Sequence, residues 1–266
     1  MSRKLCLNVQ KEAYIGISPE EQIRRIADAG FDAFFTVWSD RVKEYRALGE
    51  SLGLAYPMIH APNGHTELLW EDRETARILL DEWSACIEGA ADVGVPTVVL
   101  HPFRGIGREG VPGERGVAHF MQIATLAERC GVRIAVENCE GERYLDALLD
   151  ATAGCPHVGF CWDTGHEQCY NRGTDMMRGR AHRLIATHLN DNLGVRGGGV
   201  TSKDDLHFLP FDGITDWQSV AERLKQATIP EYLIFEVKKR EKYADLTPEE
   251  FIGEAYRRAK RFARMI

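Results

Sequence analysis

The chain has 266 residues, 44% of them hydrophobic and 27% charged, and its formal net charge is −7 at pH 7. This length can bury the core of one large domain without crosslinks, and the acidic balance provides no overall field that would attract nucleic acid or an anionic membrane. No apolar stretch approaches the ~20 residues of a membrane helix, and the first apolar segment is too short for a signal peptide. The seven cysteines lack paired spacing, so we expect reduced thiols in a cytoplasmic protein that contacts no membrane.

Eight apolar segments with strand character alternate with segments of helical character along the chain. The strands are predicted at 4–9, 32–38, 55–61, 97–100, 133–136, 158–163, 185–189 and 232–237. The helices are predicted at 19–30, 42–53, 72–94, 117–131, 144–154, 174–184 and 216–227, with a last helix from 248. Ser18 and Thr247 each precede Pro-Glu-Glu, which is the sequence of a capping box with proline at the first helical position.

The order of these elements predicts the fold class. Continuous apolar strands are typical of a parallel sheet that is covered on both faces. Eight such strand–helix units in about 250 residues predict a single-domain TIM (β/α)8 barrel covering residues 1–266. An open doubly wound sheet is the alternative, but no glycine-rich phosphate loop follows any strand, and the three glycines at 197–199 lie in a loop with no helix behind them.

Residues that can bind a metal ion or transfer a proton lie at or beside the carboxyl ends of the last six predicted strands. They are His60, His101, Glu137, Asp163, His188 and Glu236, and His166, Asp205 and His207 follow in later loops. Each residue alone is as readily explained as a core histidine or a surface carboxylate, but the strand ends of a barrel converge on one face. Because clustered buried carboxylates are costly without a cation, the sequence predicts a divalent metal site there. Mixed histidine and carboxylate ligands favour manganese, cobalt or zinc over magnesium.

These residues and their flanking motifs resemble the xylose-isomerase-like TIM-barrel superfamily, which includes sugar isomerases, sugar epimerases and the apurinic endonuclease (endonuclease IV) family. The resemblance extends over almost the whole chain and is most specific at 137–138, 161–166, 188–192, 204–217 and 234–236. The ketose 3-epimerase and inosose-isomerase branch implies that four positions hold one divalent ion, namely Glu137, Asp163, His188 and Glu236. In that branch the two glutamates also serve as the acid–base pair.

The endonuclease branch implies a larger ligand set and therefore an alternative function in DNA repair. Its trinuclear zinc site corresponds to His60, His101, Glu137, Asp163, His166, His188, Asp205, His207 and Glu236, and all of these positions are filled here. DNA binding needs Lys and Arg around the mouth of the site. The loop after the fourth strand instead mixes Arg104, Arg108 and Arg115 with Glu109 and Glu114. The sequence therefore favours a small sugar substrate over nucleic acid.

The favoured function is a metal-dependent isomerase or epimerase of a ketose or related polyol. A divalent ion can stabilise the enediolate that forms when a carbon next to the carbonyl loses a proton. One carboxylate takes the proton and a second can return it, so isomerisation, epimerisation and an inosose dehydratase-like lyase reaction all remain open. A barrel that binds a sugar or a metal without turnover is a third class, which the paired glutamates disfavour.

Five residues are candidates for direct contact with the substrate. The candidate substrate-binding residues are His60, Asn138, Trp162, His166 and Lys238. Trp162 could stack on a sugar face, although a barrel also buries such rings. Lys238 lies two residues beyond Glu236 and therefore on the same side of the strand, and Asn138 could contact hydroxyls or orient ligand residues. The exact sugar and the oligomeric state stay open, and a homo-oligomer is compatible with the sequence.

Overall fold

The computed structural model describes residues 3–104, 110–197, 199–201 and 203–266, so Arg108, Glu109 and Gly198 of the loops considered above lie outside the described residues. The strands are β1 Lys4–Asn8, β2 Ala33–Val37, β3 Ile59–His60, β4 Thr97–Leu100, β5 Arg133–Glu137, β6 Val158–Asp163, β7 Leu184–His188 and β8 Tyr232–Phe235. They form one parallel sheet in the order β7-β6-β5-β4-β3-β2-β1-β8. A parallel bridge between Leu189 and Phe235 joins the two outer strands, so the sheet closes into the predicted barrel.

Helices connect the strands on the outside of the barrel. They are α1 Glu12–Ile15, α2 Pro19–Ala29, α3 Val42–Ser51, α4 Arg73–Asp92, α5 Glu114–Cys130, α6 Glu142–Ala151, α7 Thr164–Cys169, α8 Trp217–Lys225 and α9 Pro248–Ala263. Short 3-10 turns lie at Thr66–Trp70, Ala181–Arg183 and Glu241–Tyr243. Both predicted N-caps are present, because the Ser18 and Thr247 side chains accept hydrogen bonds from the backbone N–H groups of Glu21 and Glu250. The reciprocal bond of a capping box is formed at Thr247, whose N–H donates to the Glu250 side chain, whereas at Ser18 the structure gives only the first bond.

Two predicted elements are wrong. The segment 174–184 forms turns and a 3-10 turn instead of a helix, because Gly179 has a φ of +79° and the Met176 N–H donates to the Glu167 side chain rather than to a backbone carbonyl. The unpredicted helix α7 lies just after β6, where the sequence suggested only a tight turn. The third strand is also shorter than predicted, since only Ile59 and His60 pair continuously with both neighbours.

The interior of the barrel is filled by side chains that the strands direct inward. They are Cys6, Ala33, Phe35, Met58, Val99, Ala135, Cys161, Ala186 and Ile234. A second and larger apolar layer lies between the outer face of the strands and the helices. Successive strand residues point to opposite faces, so each inward residue fixes which of its neighbours can enter the barrel. The interior is therefore a packed core and not a channel. A site at the carboxyl ends of the strands would lie directly on top of this core.

The described part of the chain contains no helix with both the length and the hydropathy that a membrane span requires. All seven cysteines are free thiols, and five of them are buried.

Helix α3 lies so close to β2 that a glycine is needed at the contact. Gly49 is buried, and a Cβ atom on it would lie 2.5 Å from Cε1 of Phe34. Phe34 has no exposed surface and stacks on Tyr56 with ring centroids 4.6 Å apart, so it has no free space to move into. Gly253 is also inside a helix, but a Cβ atom there would meet nothing within 4 Å.

We expect Gly49→Ala to lower the free energy of unfolding by about 1–3 kcal/mol, because overpacking of the core outweighs the better helix propensity of alanine. Gly253→Ala is the matched control and should raise the free energy of unfolding by up to about 1 kcal/mol. Urea unfolding followed by circular dichroism measures both. Equal effects of the two substitutions would contradict the close contact between α3 and β2.

Candidate metal-binding active site

The candidate ligand residues form one layer directly above the packed interior of the barrel. In six strands, the residue two positions beyond an inward apolar side chain is a histidine or a carboxylate: His60, His101, Glu137, Asp163, His188 and Glu236. Two strand residues advance about 6.6 Å along the barrel and return to the same face. The same step leads to Asn8 on β1 and to Val37 on β2, so these two strands contribute no charged ligand.

Glu137 is the centre of this layer and has no exposed surface. Its Oε2 atom lies 3.1 Å from Nε2 of His101 and 3.3 Å from Nε2 of His60. Its Oε1 atom lies 3.0 Å from Nδ1 of His188 and 3.1 Å from Nδ1 of His166. One buried carboxylate is therefore shared by four imidazoles.

Four of the predicted ligands come together as the sequence suggests. One ligand atom from each of Glu137, Asp163, His188 and Glu236 lies within 4.8 Å of the others. Atoms held about 2.0–2.2 Å from one ion are at most about 4.4 Å apart, so the group is close to the size of a coordination sphere. Both ring nitrogens of His188 and Oε1 of Glu137 are buried and lack a hydrogen-bond partner with proper geometry. These close but unbonded atoms fit a shared divalent cation.

Two further groups of possible ligands flank the first. His60 and His101 meet the Glu137 carboxylate on one side, and His166, Asp205 and His207 form a separate group on the other. Asp205 Oδ1 lies 2.8 Å from Nε2 of His207 and 3.5 Å from Nε2 of His166. All of the residues predicted as metal ligands are thus brought into these groups.

The ring orientation of three histidines is fixed by backbone carbonyl groups. Nδ1 of His60 lies 2.7 Å from the Ala61 oxygen, Nδ1 of His166 lies 3.0 Å from the Asn138 oxygen, and Nδ1 of His207 lies 3.0 Å from the Glu236 oxygen. A carbonyl can only accept, so each Nδ1 carries the proton and each Nε2 of a neutral ring keeps its lone pair. Metal-binding histidines in proteins are commonly held in this way.

Neighbouring histidines keep the two glutamates of the layer in their ionised form. Burial acts to raise the pKa of Glu137, but His188 and His101 outweigh it and hold that pKa well below its usual value. Burial likewise opposes ionisation of Glu236, whose pKa is nevertheless lowered to about 2 by His188 and His207. Burial lowers the pKa of His101 to about 4, which keeps this ring neutral and able to coordinate.

Asp163 is held by groups that leave it little freedom. Nδ2 of Asn190 donates to both carboxylate oxygens, at 3.1 and 2.9 Å, and the His166 N–H donates to Oδ1 at 2.7 Å. Asp163 is therefore both the N-cap of α7 and a candidate ligand. A Cβ atom on Gly165 would lie 1.8 Å from Oδ1 of Asn190, so only glycine permits this approach.

A cavity of about 220 Å³ lies above the layer. Its wall includes His60, His101, His166, Asp205, His207, Glu236 and Lys238. The volume is below the roughly 300–1,000 Å³ of sites for drug-sized ligands, which suits a small metabolite. Glu236 reaches the cavity, whereas Glu137 lies beneath the histidine rings and does not line it.

Two predicted substrate contacts need correction. Trp162 has no exposed surface and points outward from β6, where its Nε1 donates to Glu167 at 2.8 Å and its ring packs under the Arg223 guanidinium. Alternation along the strand already places Trp162 opposite to Asp163. Asn138 is also fully buried, and its amide bonds the backbone of Asp163 and the side chain of Asn171. Asn138 therefore orients a ligand residue, which was the other role open to it.

Lys238 lines the cavity, as its spacing from Glu236 predicts, and its Nζ atom lies 3.5 Å from Oδ2 of Asp205. Sequence analysis missed Asn190, the residue that holds Asp163. Its position two residues beyond His188 is the signal that could have identified it, because that spacing returns to the same face of an extended chain.

We expect Asn190→Ala to weaken zinc binding about 10–100-fold, because the Asp163 carboxylate loses the amide that orients it. Asn63→Ala is the control, since Asn63 lines the same cavity but its side chain hydrogen-bonds, among the described residues, only Arg104. Competition with a chromophoric chelator measures the affinity, and circular dichroism of the metal-free variants verifies that they fold. Unchanged affinity in Asn190→Ala would show that the amide does not support a metal ligand.

Known proteins resemble this chain in sequence and fold. Residues 23–262 match the family model described as xylose isomerase-like TIM barrel. A protein of Sinorhizobium fredii (strain NBRC 101917 / NGR234), described as uncharacterized protein y4fM, is 28% identical over 225 residues, which are 80% of this chain and 68% of that protein. The structure of the IOLI protein with a binding zinc atom has a TM-score of 0.77 at 18% identity and covers 98% of each chain. The 3-keto-D-glucoside 4-epimerase YcjR from E. coli has a TM-score of 0.72 at 18% identity and covers 99% of this chain and 100% of its own. At such identities the two structures share the fold, and the family match over most of the sequence shows that this protein belongs to the xylose isomerase-like TIM-barrel family.

Proposed function

We propose that this protein is a divalent-metal-dependent isomerase or epimerase that acts on a ketose or a related polyol. The observation that carries the proposal is the group of Glu137, Asp163, His188 and Glu236 beneath a small cavity, which Glu236 alone of the four lines. Relatives with the same fold include one epimerase and one protein with a bound zinc atom, which supports the reaction class and the kind of metal. The mixed ligand set suits zinc, manganese or cobalt.

The chemistry needs a base beside an acidified carbon atom. A divalent ion held by the four ligands would stabilise the negative charge that develops when a carbon next to a carbonyl is deprotonated. Glu236 is placed to take that proton, because its side chain is 15% exposed and lines the cavity. Its lowered pKa means that it is ionised at neutral pH, which is the form that a base requires.

Glu137 is buried more deeply than Glu236, and its proposed role is therefore different. It lies below His60, His101 and His166, and its two oxygens contact four imidazoles, so its first role is to hold the metal. We retain it as the second acid–base group, which would exchange protons with the substrate through an imidazole such as His101 that contacts it and lines the cavity. Return of the proton on the same face would give an isomerase, and return on the opposite face an epimerase.

Three residues of the cavity wall are proposed to bind oxygen atoms of the substrate. His60 and His166 have their Nδ1 protons bound to backbone carbonyls, and Lys238 offers an ammonium group beside Asp205.

We expect Glu236→Gln to lower proton exchange between a ketose and deuterated solvent by about 10²–10⁴-fold while zinc still binds, because the amide oxygen can coordinate but the amide cannot accept the proton. Glu137→Gln should lower both exchange and zinc affinity, because this carboxylate belongs to the central ligand group and also contacts His60, His101 and His166. NMR detection of deuterium incorporation and elemental analysis of the purified variants measure the two properties.

Glu222→Gln is a suitable control, because Glu222 is on the outer helix α8 and its side chain, within the described part of the chain, accepts a hydrogen bond only from Gln218. A Glu236→Gln variant that exchanges at the wild-type rate would remove Glu236 as the base. Absence of any bound transition metal, with no activity restored by zinc, manganese or cobalt, would contradict the metal-dependent mechanism as a whole.

A second function, cleavage of abasic DNA, is favoured by one specific observation. Two of the three ligand groups share Glu137, and together the three include every residue of the larger, trinuclear ligand set, with His60, His101, His166, Asp205 and His207 in addition to the four central ligands. The small cavity and the net charge of −7 favour the sugar reaction instead. Among the described residues, the cavity wall has only Lys11, Arg104 and Lys238 to meet phosphate groups.

We expect the zinc-loaded protein to leave duplex DNA with an abasic site intact, and to bind it no more tightly than unmodified duplex DNA. Binding measured between 50 and 200 mM salt gives the number of phosphate contacts, since each contact steepens the salt dependence. Tight binding with a steep salt dependence, followed by cleavage at the abasic site, would replace the sugar reaction with the repair function.

A further inference from the structure

The loops that follow β1 and β8 carry hydrogen-bond donors that line the cavity beside the candidate metal ligands. Gln10, Lys11 and Lys238 line the cavity here, on the loops that follow these two neighbouring strands. We propose that the substrate carries a negatively charged group, a carboxylate or a phosphate, and that Gln10, Lys11 and Lys238 bind this group. The inference deepens the proposed function, on which it rests, by naming the class of sugar.

Gln10 is a buried donor with a fixed orientation. It is 5% exposed, and its Oε1 atom accepts a hydrogen bond of 2.7 Å from the backbone N–H of Lys239. Its own backbone is held by the Gln22 side chain on both its N–H and its carbonyl group. Because an N–H donor identifies Oε1, the other end of the amide is the NH2 group. Within the described residues this NH2 group has no partner, so it is available to a ligand in the cavity that Gln10 lines.

Lys11 places an ammonium group beside Gln10 at the mouth. Its side chain is exposed, and in the part of the chain that is described it forms no ion pair, although the chain has 40 acidic residues against 33 basic ones. Lys238 adds a second ammonium group from the next loop, and its 3.5 Å contact with Asp205 is longer than a good charged hydrogen bond. Two ammonium groups and one amide donor therefore line the same cavity.

An anion uses this arrangement better than a neutral sugar does. Hydroxyl groups are bound adequately by amides, whereas hydrogen bonds from an ammonium group to a carboxylate or phosphate are about twice as strong as neutral ones. Lysine binds such groups as a point charge that needs no exact orientation, and the buried amide supplies the directed contact. The donors therefore select for charge and not only for shape.

The same arrangement gives the substrate one direction in the cavity. Glu236 and Asp205 are acidic and line the side that belongs to the ligand layer, so they repel an anionic end. The charged group must then lie toward Gln10 and Lys11, and the carbonyl end toward Glu236. This direction places the carbon that loses its proton next to the proposed base.

Calorimetry on the zinc-loaded protein tests the inference with three unreactive polyols: glucitol, glucitol 6-phosphate and gluconate. We expect at least one anion to bind about tenfold or more tightly than glucitol in the wild-type protein. Tighter binding of glucitol 6-phosphate would identify phosphate as the group, and tighter binding of gluconate would identify carboxylate. The readout does not depend on activity, so it separates this inference from the proposed reaction.

Three variants locate the binding group. Gln10→Glu keeps the oxygen that accepts from Lys239 but replaces the NH2 group by a negative charge, and Lys11→Gln removes one positive charge, so each should reduce the preference to threefold or less. Lys239→Gln is the matched control, because Lys239 is adjacent but does not line the cavity. Equal binding of all three polyols by wild type, or a preference that survives both substitutions, would overturn the inference. Solvent deuterium exchange that is as fast into neutral ketoses as into charged ones would also overturn the inference, but it would leave the proposed isomerase function in place.

Discussion

The carboxylate of Glu137 is buried without exposed surface, and the arrangement of the barrel mouth depends on how its charge is compensated. An isolated buried carboxylate is strongly unfavourable, so its neighbours must provide hydrogen bonds, protons or a cation. Four imidazoles supply that compensation from different strands and loops, and their own positions follow from it. Loss of one partner would leave a buried charge uncompensated, which is costlier than the loss of the contact alone. The layer of ligand residues is therefore one cooperative unit and not a set of independent side chains.

The layer is also supported by hydrogen bonds and an ion pair on the outer side of β6. Glu167 follows His166 on α7, and its carboxylate accepts from Trp162 Nε1 at 2.8 Å and from the Met176 N–H at 3.0 Å. Arg223 lies 2.9 Å from the same carboxylate and stacks over the Trp162 ring. Although none of these groups reaches the cavity, together they fix the short helix that carries His166. The outward face of β6 thus helps to set the geometry of the inward face.

Local pattern was enough to predict the strands and the residues at their ends. Apolar runs identify the strands, and the step of two residues places His101 above Val99 and Glu137 above Ala135, so barrel closure brings them together. The same alternation would have excluded Trp162 from the cavity. Sequence could not show that Glu236 reaches the cavity and Glu137 does not, because the rings that cover Glu137 come from other strands. The false helix at 174–184 has a similar cause, since a side chain from α7 binds the Met176 N–H.

The ligand residues lie on six consecutive strands, β3 to β8, whereas β1 and β2 end in Asn8 and Val37. This asymmetry divides the mouth of the barrel between two kinds of evolutionary constraint. A change in the six-strand arc disturbs the shared carboxylate, so that arc tolerates little variation. The loops after β1 and β2 lie at the margin of this layer, so we expect substitutions there to change which molecule binds while the candidate ligand residues stay in place. Binding preference and the candidate metal chemistry thus depend on different sides of the barrel mouth.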